Sequence, residues 1–313
     1  MTTTVSTSGL TTSKSKSKAK SNKRRFKFGP GSALRWVVLL GVAVFCLVPL
    51  LWLLLAPFKN NVAIRDTPLA LGTFDGFIRA WNNLSTYNDG AMYHWMFNSV
   101  IYSLVPLVIS IVISLTAAYA LATMRFAGRK VILLATLLAI VLPGAALVLP
   151  LFLEINAFGL VNTAWSVILP ASFYPFGVYL AFVYFSTSIP QELLEAARID
   201  GCGEVGVFLR VALPLAKPVI ALLAFFSFVA NWNNYFLPYV MLTQDDKYNL
   251  PVGLGVLLAS SPALHPGPAN ALVPLGFPEA ALAGLIVVLP IALMFIFFQR
   301  FLVRGILSGS TKG

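Results

Sequence analysis

Glu192, Glu195, Asp200 and Glu204 place four of the chain's eleven acidic residues within thirteen positions. Clustered carboxylates can serve acid–base or metal chemistry, but no histidine lies near them, and Cys202 between Asp200 and Glu204 reads as an ordinary loop residue. His94 is isolated, and Cys46 and Cys202 fall in an apolar run and a polar loop, where no disulfide is expected. No catalytic group and no metal site is read from them. A second polar group, Asn231, Trp232, Asn233 and Asn234, interrupts an apolar run. Amides beside an indole can hydrogen-bond sugar hydroxyls and cover a sugar face, or they can bond across helices and hold a bundle together. Both roles remain open. The terminal SGSTKG has the wrong residue order for a phosphate loop, which needs Gly-Lys followed by Ser or Thr.

The elements that position these groups follow from composition. The chain is 58% hydrophobic and 11% charged, with a mean hydropathy of +0.83. That balance excludes a soluble domain and indicates an all-α integral membrane protein. Crossing about 30 Å of hydrocarbon takes roughly 20 apolar residues. Six runs qualify: 34–56, 98–121, 131–153, 163–187, 216–242 and 280–303. The fourth, with Pro170 and Pro175, is the least regular. With the amino terminus inside, eighteen of the Lys and Arg residues fall on inner segments and four, Lys59, Arg65, Arg79 and Lys247, on outer ones. This asymmetry is the positive-inside pattern and puts both termini in the cytoplasm of a cell membrane. The net charge of +11 therefore marks topology and not a nucleic-acid partner.

Residues 1–30 form a basic, Ser- and Lys-rich arm that is expected to be disordered and able to touch anionic membrane lipid. Residues 31–313 form the membrane domain. On the outer side, LGTFDGFIRAWNN predicts a short amphipathic helix, and Tyr93 and Trp95 suit a membrane interface. Residues 243–279 form a long outer loop, too apolar for a plain solvated linker.

The acidic cluster lies between the fourth and fifth runs, on the inner side. Ser188 with Gln191 predicts a capping box, Pro190 a first-turn proline, and Gly201 a left-handed helix end. A helix from Pro190 to Asp200 is about 16 Å long, too short to cross and too charged to enter lipid. A second short helix is expected over Glu204–Arg210, which gives a helix-turn-helix knob. The amides lie about 23 Å along the fifth helix from Lys217, at or beyond the midplane. Spans two to six carry no ionisable group near mid-membrane, which disfavours the alternative of an ion-coupled transporter, or a receptor, working without nucleotide.

Glu195-Ala196-Ala197, three residues, Gly201, nine residues, Val211, one residue, Leu213-Pro214 resembles the EAA loop of ABC importer permeases, with Val211 in place of Ile. WMFNSVIYSLVPLVISIVISLTAAYALATMRFAGRK, NWNNYFLPYVMLT, LPVGL and the terminal QRFLVRGILSGSTKG are similar to the maltose-permease type. The resemblance covers most of the chain beyond the arm. It implies a six-span permease subunit of a carbohydrate importer, with no cofactor of its own and ATP hydrolysis on another chain. Its partners are a cytoplasmic ATPase dimer, a second permease, an extracellular or periplasmic solute-binding protein and a sugar. It also implies a coupling loop over residues 188–214, in which Glu195, Ala196, Ala197 and Gly201 contact the ATPase while Leu213 and Pro214 anchor the loop to the fifth span. The tail is implied to touch the ATPase. Asn231, Trp232, Asn233 and Asn234 are the candidate substrate path, although the other permease is able to supply the sugar contacts instead.

Overall fold

The computed structural model describes residues 30–262 and 275–310, with side chains over 33–262 and 275–299. The basic arm, residues 263–274 of the long loop and the last three residues lie outside the described residues. Among the described residues every regular element is helical. The chain divides into two compact units, residues 1–48 and 49–313. Helix α1 (Pro30–Leu55) carries the first apolar run and contains Pro49.

Within the second unit, α4 (Ala91–Thr123) is the central element. It packs along α8 (Pro175–Thr187) and α12 (Lys217–Trp232), and meets α7 (Trp165–Ser172) and α14 (Leu250–Ser260). Its buried line of Ser99, Ser103, Ser110, Ser114 and Ala118 explains the close packing, since small side chains let backbones approach where lipid supplies no hydrophobic drive. On the facing helix, a Cβ added to Gly177 would meet Ser114 Oγ at 2.9 Å and Leu223 Cδ2 at 3.0 Å. Ser110 Oγ and Ser227 Oγ, 3.1 Å apart, bond α4 to α12.

Among the described residues four helices are long and apolar enough to cross a membrane, and two further bent pairs bring the number to six if each counts as one span. The run 131–153 is not the single helix expected. It splits into α5 (Arg129–Val141) and α6 (Gly144–Ala157), bent by 109°. Pro143 is the cause: it has no N–H to continue the ladder, and it holds Leu142 extended at φ −65°, ψ 127°. The run 216–242 is also interrupted. Helix α12 ends at Trp232, and a separate turn of helix, α13 (Phe236–Met241), follows. Pro238 cannot donate to the Asn234 carbonyl four residues back, and that carbonyl instead accepts from Asn249 Nδ2 at 2.7 Å.

The end of the bundle where α4 begins is capped by short elements. The expected amphipathic helix is α3 (Phe74–Thr86), preceded by α2 (Asn61–Asp66). Thr73 Oγ1 caps α3 through the Gly76 N–H at 3.2 Å. Its face of Gly76, Ala80 and Leu84 is buried, and a Cβ on Gly76 would lie 2.3 Å from the Phe58 carbonyl oxygen. Helix α15 (Phe277–Ser310) starts beside it, where Glu279 accepts from the Gly276 N–H at 2.8 Å and from Asn83 Nδ2 at 2.9 Å. The described part of the long loop contains the apolar helix α14, seated on α4 and α15. Tyr93 is exposed, as an interfacial residue would be, but Trp95 is 2% exposed. Its indole lies on Gly253 and donates to the Asp245 carbonyl at 2.9 Å, because residues 244–248 fold over it.

Candidate functional site

The knob is built by two helices that share one buried face. Helix α9 (Gln191–Ile199) starts one residue later than a first-turn proline would require, with Pro190 as its extended N-cap. Ser188 does not cap it. That residue closes α8 instead, its N–H donating to the Tyr184 carbonyl at 2.9 Å. At the other end the glycine expectation holds. Gly201 has φ +86°, its N–H donates to the Arg198 carbonyl at 3.1 Å, and the Cys202 N–H donates to the Ala197 carbonyl at 3.0 Å. These two bonds form a Schellman motif, which satisfies carbonyls that the helix end would otherwise leave unpaired. Ala197 and Cys202, the pair such a motif brings together, both pack against the same core cluster.

The chain then continues through α10 (Glu204–Val207), a π turn over Phe208–Ala212 and α11 (Leu213–Leu215). The expected second helix is therefore longer than Glu204–Arg210 and contains a widened turn. The Leu213 N–H reaches back five residues to the Phe208 carbonyl, immediately before Pro214, which has no N–H to offer. The Glu204–Leu215 segment meets α12 at 77°.

Leu194 fixes this unit to the bundle. It is fully buried with Leu115, Ala118 and Tyr119 of α4, Phe185 of α8, and Val219 and Leu223 of α12. Burying a leucine contributes about 1.5–3 kcal/mol. A polar link lies beside it: Arg198 Nε donates to Glu204 Oε1 at 2.8 Å, Arg198 Nη2 to Glu204 Oε2 at 3.3 Å, and the Tyr119 hydroxyl to Glu204 Oε2 at 3.1 Å. The Arg198 bonds hold the Glu204 carboxyl below its ordinary range, against an opposing push from burial and with help from Tyr119. The same pairing raises the Arg198 guanidinium. Glu204 thus differs from its neighbours in the acidic cluster: it clamps the two knob helices to each other and to the end of α4.

The opposite face is open. Glu192, Glu195 and Ala196 are exposed, as are Ile199 at 86% and Val205 at 72%. Ala197 is half-buried on the boundary between the faces. Leu213 is half-buried and packs with the core around Leu194, whereas Pro214 is exposed; the neighbouring Leu215 carbonyl accepts from the Tyr184 hydroxyl at 2.9 Å. Exposed apolar side chains such as Ile199 and Val205, rimmed by polar residues, can mark a surface that contacts another macromolecule.

The amide group does not form one surface. Asn231 is 8% exposed, and its Nδ2 donates to Ser227 Oγ at 3.4 Å. Trp232 stacks on Phe228 at 5.5 Å between centroids and donates to the Val287 carbonyl of α15 at 2.9 Å. Asn234 is half-buried, its carbonyl taken by Asn249. Asn233 alone is exposed, its Nδ2 folded back on the Val229 carbonyl at 3.0 Å. Tyr119, Arg198 and Asn249 escaped the sequence reading. Asn249 carried a signal, since Asn before Leu-Pro is an N-cap pattern, and its Oδ1 accepts from the Val252 N–H at 3.3 Å.

The chain is similar to known proteins over most of its length. The chain is 36% identical to the arabinooligosaccharides transport system permease protein AraQ of Halalkalibacterium halodurans, over 90% of this chain and 97% of that protein. It is 30% identical to the diacetylchitobiose uptake system permease protein NgcG of Streptomyces coelicolor, over 90% and 89%. Its fold matches a chain in the crystal structure of a bacterial ABC transporter involved in the import of the acidic polysaccharide alginate, with a TM-score of 0.74 and 23% identity over 87% of this chain and 98% of that one. Residues 110–308, which contain both the knob and the amide break, match the family described as binding-protein-dependent transport system inner membrane component. The chain belongs to that family of transport-system membrane subunits.

Proposed function

We propose that this chain is one of two permeases in an ATP-driven importer of oligosaccharides in a bacterial cell membrane, with both termini in the cytoplasm. Residues 31–313 form the membrane domain, and residues 188–214 are the loop through which a cytoplasmic ATPase dimer moves it. Glu195, Ala196, Ala197 and Gly201 make the coupling contact, and Leu213 and Pro214 join the loop to the fifth span. A solute-binding protein delivers the substrate on the opposite side. The break at residues 233–235 borders the substrate path.

The observation that carries this reading is the two-faced knob. One face is buried in a core cluster that α4, α8 and α12 also line, with Leu194 fully buried in it, so movement of the knob is coupled to that core. The other face presents carboxylates, Ala196, Ile199 and Val205 to a partner. Oligosaccharide is the substrate class that the names of the relatives support.

The test is purification of the tagged chain from its native membranes, followed by reconstitution with its solute-binding protein. The expected result is an ATPase and a second permease in the eluate, with ATP hydrolysis accelerated by arabinotriose, diacetylchitobiose or maltotriose. A lone chain that sustains uptake on a proton or sodium gradient would contradict the proposal.

A further inference from the structure

The end of α12 carries an arrangement that no packing role absorbs. At 1.5 Å per residue, the sixteen residues of α12 rise about 24 Å from Lys217, so the break at residues 233–235 still lies at membrane depth. Irregular backbone is tolerated there only when it is buried in protein or borders water. This break is not buried: Asn233, Tyr235 and Phe236 are all exposed. A lipid-facing amide beside an opened helix would be costly, so hydrocarbon is an unsuitable neighbour for this face.

Two tyrosines extend the exposed face. Tyr235 is 42% exposed and Tyr239 52%, and their rings stack nearly parallel, 5.5 Å apart at 11°. Their placement is fixed at the backbone and at the Tyr235 ring. The Tyr239 N–H donates to the Tyr235 carbonyl at 3.0 Å. The Tyr235 ring lies against the bare backbone of Gly255 in α14, where an added Cβ would meet Cε2 at 2.9 Å and the hydroxyl oxygen at 3.2 Å. The Asn249 bond to the Asn234 carbonyl ties the same break to the start of α14. Rigid tyrosine rings give a flat apolar face with a polar rim at little entropic cost, and preorganisation of this kind favours binding.

We infer that Tyr235 and Tyr239, with Asn233 beside them, form a platform on which a sugar ring of the transported oligosaccharide stacks as it passes the opened helix. The outer face of the Tyr239 ring, backed by Tyr235, covers the C–H face of the sugar, while the phenol hydroxyls and the Asn233 amide meet its hydroxyls. This inference rests on the oligosaccharide reading above, and it moves the contact surface away from Asn231 and Trp232 to two residues that follow the amide group.

The experiment uses the assembled transporter with its ATPase, second permease and binding protein, with Cys46→Ser and Cys202→Ser replacements in this chain. Asn233→Cys and Tyr239→Cys are introduced singly and exposed to a small charged thiol reagent, with arabinotriose, diacetylchitobiose and maltotriose as probes. Both sites are expected to be labelled, and to be labelled several-fold more slowly with a transported probe present. In uptake, Tyr239→Ala is expected to lower the maximal rate about tenfold, with Tyr239→Phe recovering most of it, because the phenylalanine keeps the ring. Absence of labelling in an ATP-hydrolysing complex means that the second permease or lipid covers the face, and overturns the platform. Labelling that no transported probe slows overturns it equally. If the unmodified transporter takes up none of the three sugars, the oligosaccharide reading fails and the platform fails with it; if it takes one up and Tyr239→Ala does so equally well, the platform alone fails.

Discussion

The knob and the amide break are the two polar interruptions of an apolar chain, and they are stabilised in opposite ways. The knob closes itself largely by local rules: a left-handed Gly201, a Schellman pair of bonds and the Arg198–Glu204 pair all lie within seven residues of Glu204. The break is held from a distance, by Asn249 on the Asn234 carbonyl and by Val287 on the Trp232 indole. The knob therefore moves as one body and keeps a free face, as a lever requires. The break is a seam between separate helices, and its shape follows their relative positions. Force enters at a self-contained unit, and the path is shaped where several spans meet.

That contrast can be broken by detaching the lever. Leu194→Ala leaves a cavity where α4, α8 and α12 converge, at a cost of about 2–5 kcal/mol. ATP-driven uptake is expected to collapse, with residues 188–203 opened to limited proteolysis while the distant break stays intact. Asn249→Ala acts on the other region. It leaves the Asn234 carbonyl unpaired and removes the α14 cap, about 1–3 kcal/mol in all. Uptake should fall with the knob unaltered, as read by an unchanged proteolysis pattern. If Asn249→Ala opens the knob as readily as Leu194→Ala does, the two regions are not separate.

The smallest effect is expected at the clamp. Glu204→Gln weakens the links to Arg198 and Tyr119, but the pair is partly solvated and surface pairs contribute little. The sign of its pH dependence is fixed. The folded carboxyl titrates below its unfolded counterpart, so its contribution is complete at pH above the ordinary carboxylate range and is lost as pH falls through the lowered value. Knob opening measured by hydrogen exchange should therefore rise on acidification in the parent and be flatter in Glu204→Gln.

These two regions also differ in how much of each was legible. The apolar runs 34–56, 98–121, 163–187 and 280–303, the amphipathic α3 and the Gly201 ending follow from periodicity and backbone preference and appear, whereas 131–153 and 216–242 are broken. The capping box failed because α9 starts at Gln191 with Pro190 as its N-cap, which leaves Ser188 two residues upstream, where its N–H closes α8. The clamp was hidden because Arg198 and Glu204 meet across a glycine turn and not along a helix face. In the fifth span the amides interrupt an apolar run that resumes through Pro238, and only the partner found by Asn234 shows that the helix stops there. Trp95 looked interfacial because a sequence does not reveal that residues 244–248 will cover it. Local rules gave the knob its outline, while long-range hydrogen bonds decided which of the four amide-group residues stayed outside.

The central claim is that the exposed face of the knob receives the ATPase. Its most direct test compares Glu195→Lys and Gly201→Asp with the parent in the same membranes, measuring ATP-driven uptake together with the amounts of inserted chain and of co-purified ATPase. Glu195 is exposed, so its reversal leaves the bundle core untouched; Gly201 sits at φ +86°, where a side chain costs about 1–2 kcal/mol. The account predicts normal insertion, uptake reduced at least about tenfold and weakened ATPase retention. Unchanged uptake with unchanged ATPase retention in both variants would contradict it.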